Sequence, residues 1–222
     1  MSDADGRPAD GAPDVPEVVD EVDPRPVLRH ERLYDGRIID LVRDDVDLGD
    51  AGVVTREYVD HPGAVAVVAL DDEDRVLLLR QYRHPVRAFL WEVPAGLLDV
   101  DGEPAADAAA RELAEEADVT AESWAVLTDY ATTPGSSNEA VRVFLARGVA
   151  EVAAADRHAR TGEEAGIETR WVPLDEAVAR VLDGSLHNPS AVVGVLAAAA
   201  SRAGGWASLR PADAPWPCRP GA

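Results

Sequence analysis

Hydrophobic and polar positions alternate over three short stretches early in the chain, Val27 to Leu33, Arg37 to Val46 and Val53 to His61. Asp-Gly and Gly-Asp turns separate them, so an antiparallel β element is expected over residues 27–60. The pattern then changes. Gly63 to Leu70 is an unbroken apolar run closed by Asp71-Asp-Glu-Asp74, and Arg75-Val-Leu-Leu-Leu-Arg80 follows. Two strands joined by that acidic turn predict a β-hairpin. Leu90 to Gly96 reads as a strand entering a loop. Pro104 suits the first helical position, and the alanine-rich segment behind it has high helix propensity. On that helix Ala106, Ala109, Ala110 and Leu113 share an apolar face able to lie flat on a sheet.

Further strands are predicted at Trp124–Tyr130, Ala140–Ala146 and Thr169–Leu174. Asp175 is expected to cap a helix through Leu182. Asn188 is expected to cap a last helix running to Ser201, with Pro189 at its first position. Strands interleaved with two or three helices give an α/β fold class. Residues 1–26 read as a disordered acidic tail, and 203–222, rich in Pro, Ala and Gly, as a flexible one.

Composition narrows the function. At 222 residues and 46% hydrophobic content, one ordinary domain with a small appendage is expected. No apolar run approaches the roughly 18 to 20 residues of a membrane span. The Met-Ser-Asp-Ala-Asp-Gly start lacks a secretory pattern, which makes the cytoplasm the default location. A lone cysteine, Cys218, allows no intrachain disulfide. The net charge is −21, and all 21 basic residues are arginines. That field disfavours nucleic acid and anionic membranes as partners. An anionic substrate would need local arginines and metal.

The candidate chemistry lies between Gly96 and Val119. Glu112, Glu115 and Glu116 fall within five positions on one helix, with Glu103 just ahead of it. At 3.6 residues per turn Glu112 and Glu116 project side by side. Bare carboxylates at that spacing repel; a hard divalent cation, which takes oxygen ligands, reverses the sign. Gly96 is expected to allow an unusual backbone, and Gly102 a turn.

These residues resemble the signature of the Nudix hydrolases: Gly, five residues, Glu, seven residues, Arg-Glu, an aliphatic residue, any residue, Glu-Glu, any residue, Gly, aliphatic. The chain follows it from Glu103 through Val119 with two departures. Six residues separate Gly96 from Glu103, and Asp118 stands in place of the final glycine. Asp tolerates the left-handed conformation better than most residues, so a helix end there stays feasible.

The resemblance implies an α/β/α sandwich with a mixed sheet over 61–202, and a role for 27–60 in forming a homodimer. It implies Mg²⁺ as cofactor, with Mn²⁺ as the alternative. The metal ligands would be Glu112, Glu115, Glu116 and the Ala95 carbonyl, with Arg111 orienting the glutamates. A catalytic base would come from Glu163 or Glu164 in Thr161-Gly-Glu-Glu-Ala-Gly166. Pro134, sixteen residues beyond Asp118, resembles the ADP-ribose pyrophosphatase branch and points to ADP-ribose as substrate, with Glu139 as a substrate or loop contact. Arg56 and Glu57 resemble the family's substrate-binding pair. Arg80 and Arg83 are candidate phosphate receptors, since guanidinium forks fit phosphate oxygens. Surface charge is the competing reading for each. A broader nucleoside diphosphate sugar or dinucleotide hydrolase, and a catalytically silent ligand-sensing domain, remain open.

Overall fold

The structure, a computed structural model, describes residues 18–160 and 166–219. Its strands are β1 (Val27–Tyr34), β2 (Asp40–Asp47), β3 (Val53–Asp60), β4 (Ala64–Ala69), β5 (Arg75–Arg83), β6 (Ala88–Glu92) and β7 (Ala95–Leu97). Helix α1 (Ala105–Ala117), β8 (Val119–Ala131), β9 (Ala140–Glu151), β10 (Glu168–Pro173), α2 (Leu174–Leu182), α3 (Pro189–Ala203) and β11 (Arg210–Pro211) follow.

The main sheet runs β11-β8-β9-β4-β7, with β4 and β9 parallel and the other pairs antiparallel. Every residue of β4 is buried. Ala66 and Val68 join a core with Ala191, Val195 and Ala198 of α3, while Val65, Val67 and Ala69 join Ala108, Ala109 and Leu113 of α1. A strand covered on both faces reads as continuous hydrophobicity rather than alternation, which explains the run at Gly63–Leu70. Gly194 lets α3 lie close: a Cβ there would stand 2.7 Å from Val68 Cγ2. The result is an α/β/α sandwich.

The expected hairpin of β4 and β5 does not form. The acidic turn is present, with Asp71 Oδ1 accepting from the N–H groups of Glu73 and Arg75. Beyond a single Leu70–Val76 bridge the strands diverge, and β5 pairs with β10 and β6 in a second sheet. The partners that cover both faces of β4 come from distant sequence, which a local pattern does not register.

Two helix starts also differ. Pro104 is the residue before α1 rather than its first residue. Asp175 makes no cap; Pro173 precedes α2, the Leu174 N–H donates to the Asp74 carbonyl, and Asp175 pairs with Arg202. Asn188 does cap α3, accepting from the Ala191 N–H at 3.0 Å.

The C-terminal stretch, read as flexible from 203, packs onto the sheet as far as Trp216. β11 pairs with β8, Trp206 lies under the Arg147 guanidinium, and Trp216 lies under that of Arg142. Buried Arg142 also donates to the carbonyls of Ala214 and Pro215. Two tryptophans supply apolar area that a Pro-Ala-Gly composition conceals. β1, β2 and β3 form a separate antiparallel sheet. No helix among the described residues is long and apolar enough to cross a membrane.

Candidate active site

Helix α1 turns its alanines and Leu113 to the sheet, and this aims Glu112 and Glu116 at the β6–β7 junction. Glu116 is buried, at 8% exposure, and its Oε2 accepts from the Ala95 N–H at 2.9 Å. A buried carboxylate is tolerated only with such a partner. Gly96, expected to allow an unusual backbone, does not adopt a positive φ. Its role is spatial: an added Cβ would meet Glu112 Cδ at 2.0 Å. The glycine admits a carboxylate against the backbone. Gly102, by contrast, does turn with φ 75.

Arg111 sits among the remaining oxygens. Its Nε and Nη2 donate to Glu103 at 3.1 and 3.0 Å, and its Nη1 to Glu112 at 2.5 Å and Glu115 at 3.3 Å. The hydrogen bond to Glu103, then that to Glu112, raises the arginine pKa further. The same bond holds the Glu103 carboxyl below its ordinary value. One guanidinium thus joins three carboxylates, Glu103, Glu112 and Glu115. Among the described residues no three His, Cys, Asp or Glu side chains already stand in cation-binding geometry. The donor set nonetheless fits a hard divalent ion: every side-chain donor is a carboxylate oxygen.

The other candidates distribute differently. Arg83 donates to both oxygens of Glu92, at 2.9 and 2.6 Å. Glu92 is 1% exposed, three residues before Ala95, and was missed by sequence reasoning. Its signal was faint: a lone carboxylate inside Leu90-Trp-Glu-Val93. Arg80 lies over the Phe89 ring, 4.7 Å from its centroid, with Glu168 at 3.8 Å. Trp91 packs against the α3-side core and carries the Arg170 guanidinium on its ring.

Pro134 lies in a loop bound to the end of β3. The Val59 N–H donates to the Ser136 carbonyl, and Asn138 Oδ1 accepts from the His61 N–H at 2.8 Å. Glu139 accepts from Thr132 Oγ1 at 2.7 Å and faces His61 Nε2 at 3.5 Å. Because His61 Nδ1 accepts from the Gly63 N–H, the ring proton sits on Nε2, toward that carboxylate. His61 and Asn138 gave no sequence signal, since their roles depend on contacts between distant segments.

Arg56 and Glu57 lie on β3, where Glu57 pairs with Arg43 at 2.5 Å and Arg56 donates to the Thr55 carbonyl. Among the described residues neither bonds to the carboxylate cluster of its own chain. Glu163 and Glu164 lie outside the described residues. A cavity of about 360 Å³ adjoins Asp118, Arg75 and Trp171, and another of about 440 Å³ adjoins Trp91, Arg170 and Arg180. The glutamates of the cluster line neither.

Carboxylates on a helix flanking a glycine-opened strand end, within an α/β/α sandwich, define a class of oxygen-ligand sites suited to phosphate chemistry. The NUDIX domain matches residues 60–191, more than half the chain, and the chain belongs to that family. It is 48% identical over 193 residues to the ADP-ribose pyrophosphatase of Mycobacterium tuberculosis, covering 87% of this chain and 91% of that one. To the ADP-ribose pyrophosphatase of Bacillus subtilis it is 37% identical, covering 68% and 80%. A solved ADP compounds hydrolase shares the fold, with a TM-score of 0.66 at 20% identity, covering 85% of this chain and 99% of that one.

Proposed function

We propose that this protein hydrolyses ADP-ribose to AMP and ribose 5-phosphate with a divalent cation, Mg²⁺ first and Mn²⁺ as alternative. The observation that carries the reading is the cluster itself: Glu112 against Gly96, Glu116 on the Ala95 N–H, and Arg111 joining Glu112 and Glu115 to Glu103. The substrate is taken from the relatives of the same name that match most of the chain.

The cation, when bound, neutralises the diphosphate and lowers the pKa of a coordinated water. Glu112, Glu115, Glu116 and the Ala95 carbonyl would hold it. Arg111 keeps Glu112 and Glu115 aligned and ties them to Glu103, so the ligands are preorganised. A water oxygen bonds to one phosphorus, the bridging P–O bond breaks, and Glu163 or Glu164 accepts the water proton. Arg80 and Arg83, which pair with Glu168 and Glu92, would exchange these carboxylates for phosphate oxygens. Pro134, Glu139, Arg56 and Glu57 would contact substrate.

We also propose a cytoplasmic homodimer joined through the β1–β3 sheet, because Leu28, Tyr34, Ile38 and Val53 of that region are exposed. A substrate panel of ADP-ribose, ADP-glucose and dinucleotides, with Mg²⁺ and with chelator, tests the activity. Preference for ADP-ribose that vanishes with chelator is expected. A poor rate on ADP-ribose beside the others would remove the substrate assignment.

A further inference from the structure

We infer that Arg160 is a positioning residue for the carboxylate helix, clasping its C-terminal turn and thereby fixing Glu115 and Glu116. The inference rests on the reading of α1 as the cation-binding element. Arg160 Nε donates to the Glu115 carbonyl at 2.9 Å, and Nη2 donates to the Asp118 carboxylate. Only 20% of the Arg160 side chain and 19% of the Asp118 side chain are exposed. The carbonyls of a last helical turn lack intrahelical partners, and the helix dipole places partial negative charge there. A guanidinium from 45 residues away along the chain answers both needs.

Asp118 is locally unfavourable on two counts. Its φ of 55 lies in the left-handed region, where glycine would be unstrained. Its Oδ1 is buried with no hydrogen-bond partner among the described residues. A residue that breaks local rules persists where a contact compensates it. Here the contact is Arg160. The Asp118 backbone is also tied to the sheet, since its carbonyl accepts from the Val152 N–H at 2.8 Å. The helix end is therefore gripped from two sides, one of them removable without touching the backbone.

The test uses the full chain with Arg160→Ala, Arg160→Lys, Asp118→Gly and the Asp118→Gly/Arg160→Ala double variant. Three quantities are read: kcat and KM on ADP-ribose with Mg²⁺, metal-free amide exchange at residues 114–119, and Mn²⁺ affinity. Arg160→Ala should lower kcat by roughly 10- to 100-fold with KM nearly unchanged, as expected for small misplacement of catalytic groups. It should also speed exchange at the Asp118 amide. Arg160→Lys should recover part of kcat, since one ammonium cannot serve both acceptors as the fork does. Asp118→Gly should keep or raise Tm yet lower kcat, and the double variant should be no worse than Arg160→Ala.

Wild-type kcat in Arg160→Ala, or losses that simply add in the double variant, would overturn the inference. So would faster exchange with unchanged kcat, which marks a purely structural contact. If the wild-type chain leaves ADP-ribose intact, the substrate reading falls, and the clasp is judged on exchange and Mn²⁺ affinity. Unchanged values of both in Arg160→Ala then overturn it.

Discussion

In β4 all six residues are buried, whereas in β1 seven of eight are exposed. β4 is wholly apolar whereas β1 interleaves apolar with charged residues, yet both pair with their neighbours. The difference is what covers their faces. β4 lies between α1 and α3, and its alternate side chains feed two cores. In the β1–β3 sheet only Val42 and Asp44 are buried, and Val27, Leu28, Tyr34, Ile38, Ile39, Leu41 and Val53 are exposed. Single exposed apolar residues are ordinary, but a group on one small sheet marks an interaction surface. The core covers its own apolar strands; the N-terminal sheet leaves an apolar group exposed, as the proposed homodimer requires.

The largest test of that division lies at the core-side cluster. Glu116→Gln should reduce turnover by several powers of ten with the far-ultraviolet spectrum unchanged, because catalysis by a bound ion depends on its ligand set. Activity retained in that variant would remove Glu116 from the ligand assignment. Gly96→Ala comes next. Its methyl would occupy the space of Glu112, so activity should fall on the order of 100-fold, and displacement should cost about 1–3 kcal/mol by chemical denaturation.

The comparison itself is tested by two truncations. Leu113→Ala, in the fully buried core, should cost about 2–5 kcal/mol. Leu28→Ala, on a strand residue 60% exposed, should cost within about 0.5 kcal/mol of folding stability. Leu28→Asp should weaken self-association in sedimentation while leaving the core melting transition in place. A monomeric wild-type chain, or equal costs for both truncations, would break the contrast.

The smallest expected effect is on acid stability. Glu103 is held below its ordinary 4.5, first by the Arg111 hydrogen bond. Its folded pKa is depressed, so the stabilisation is present above the unfolded value and lost as pH falls through the folded one. Melting temperature measured from neutral pH to about pH 3 should therefore decline less steeply in Glu103→Gln than in the wild type. An identical slope would show that the pair is not linked to folding.

Much of the fold was legible from local pattern. Nearly every strand and helix was expected near its observed place, and Asn188 capped α3 as its chemistry demands. What misled was anything decided by distant neighbours. The turn at Asp71–Asp74 looks like a hairpin turn, yet its strands enter different sheets. Gly96 looked like a place for an unusual backbone and proved to be a space for Glu112. Asp175 looked like a cap and serves Arg202 instead. The C-terminal stretch looked mobile because its anchors, Arg142 and Arg147, lie on β9 and nowhere near it in sequence.

The sequence by itself determined the chemistry of the cluster, because an i, i+4 spacing on a helix places Glu112 and Glu116 together whatever surrounds them. Its wholly apolar run at β4 also required cover on both faces, while the α/β/α order was implied only by the resemblance. Only the tertiary structure decided which arginine serves which carboxylate: Arg83 for Glu92, Arg111 for Glu103, Arg160 for Asp118. The physical reason is range. Helical spacing acts over a few residues, whereas a salt bridge forms wherever folding brings opposite charges within about 4 Å, and this chain offers 42 acids to 21 arginines.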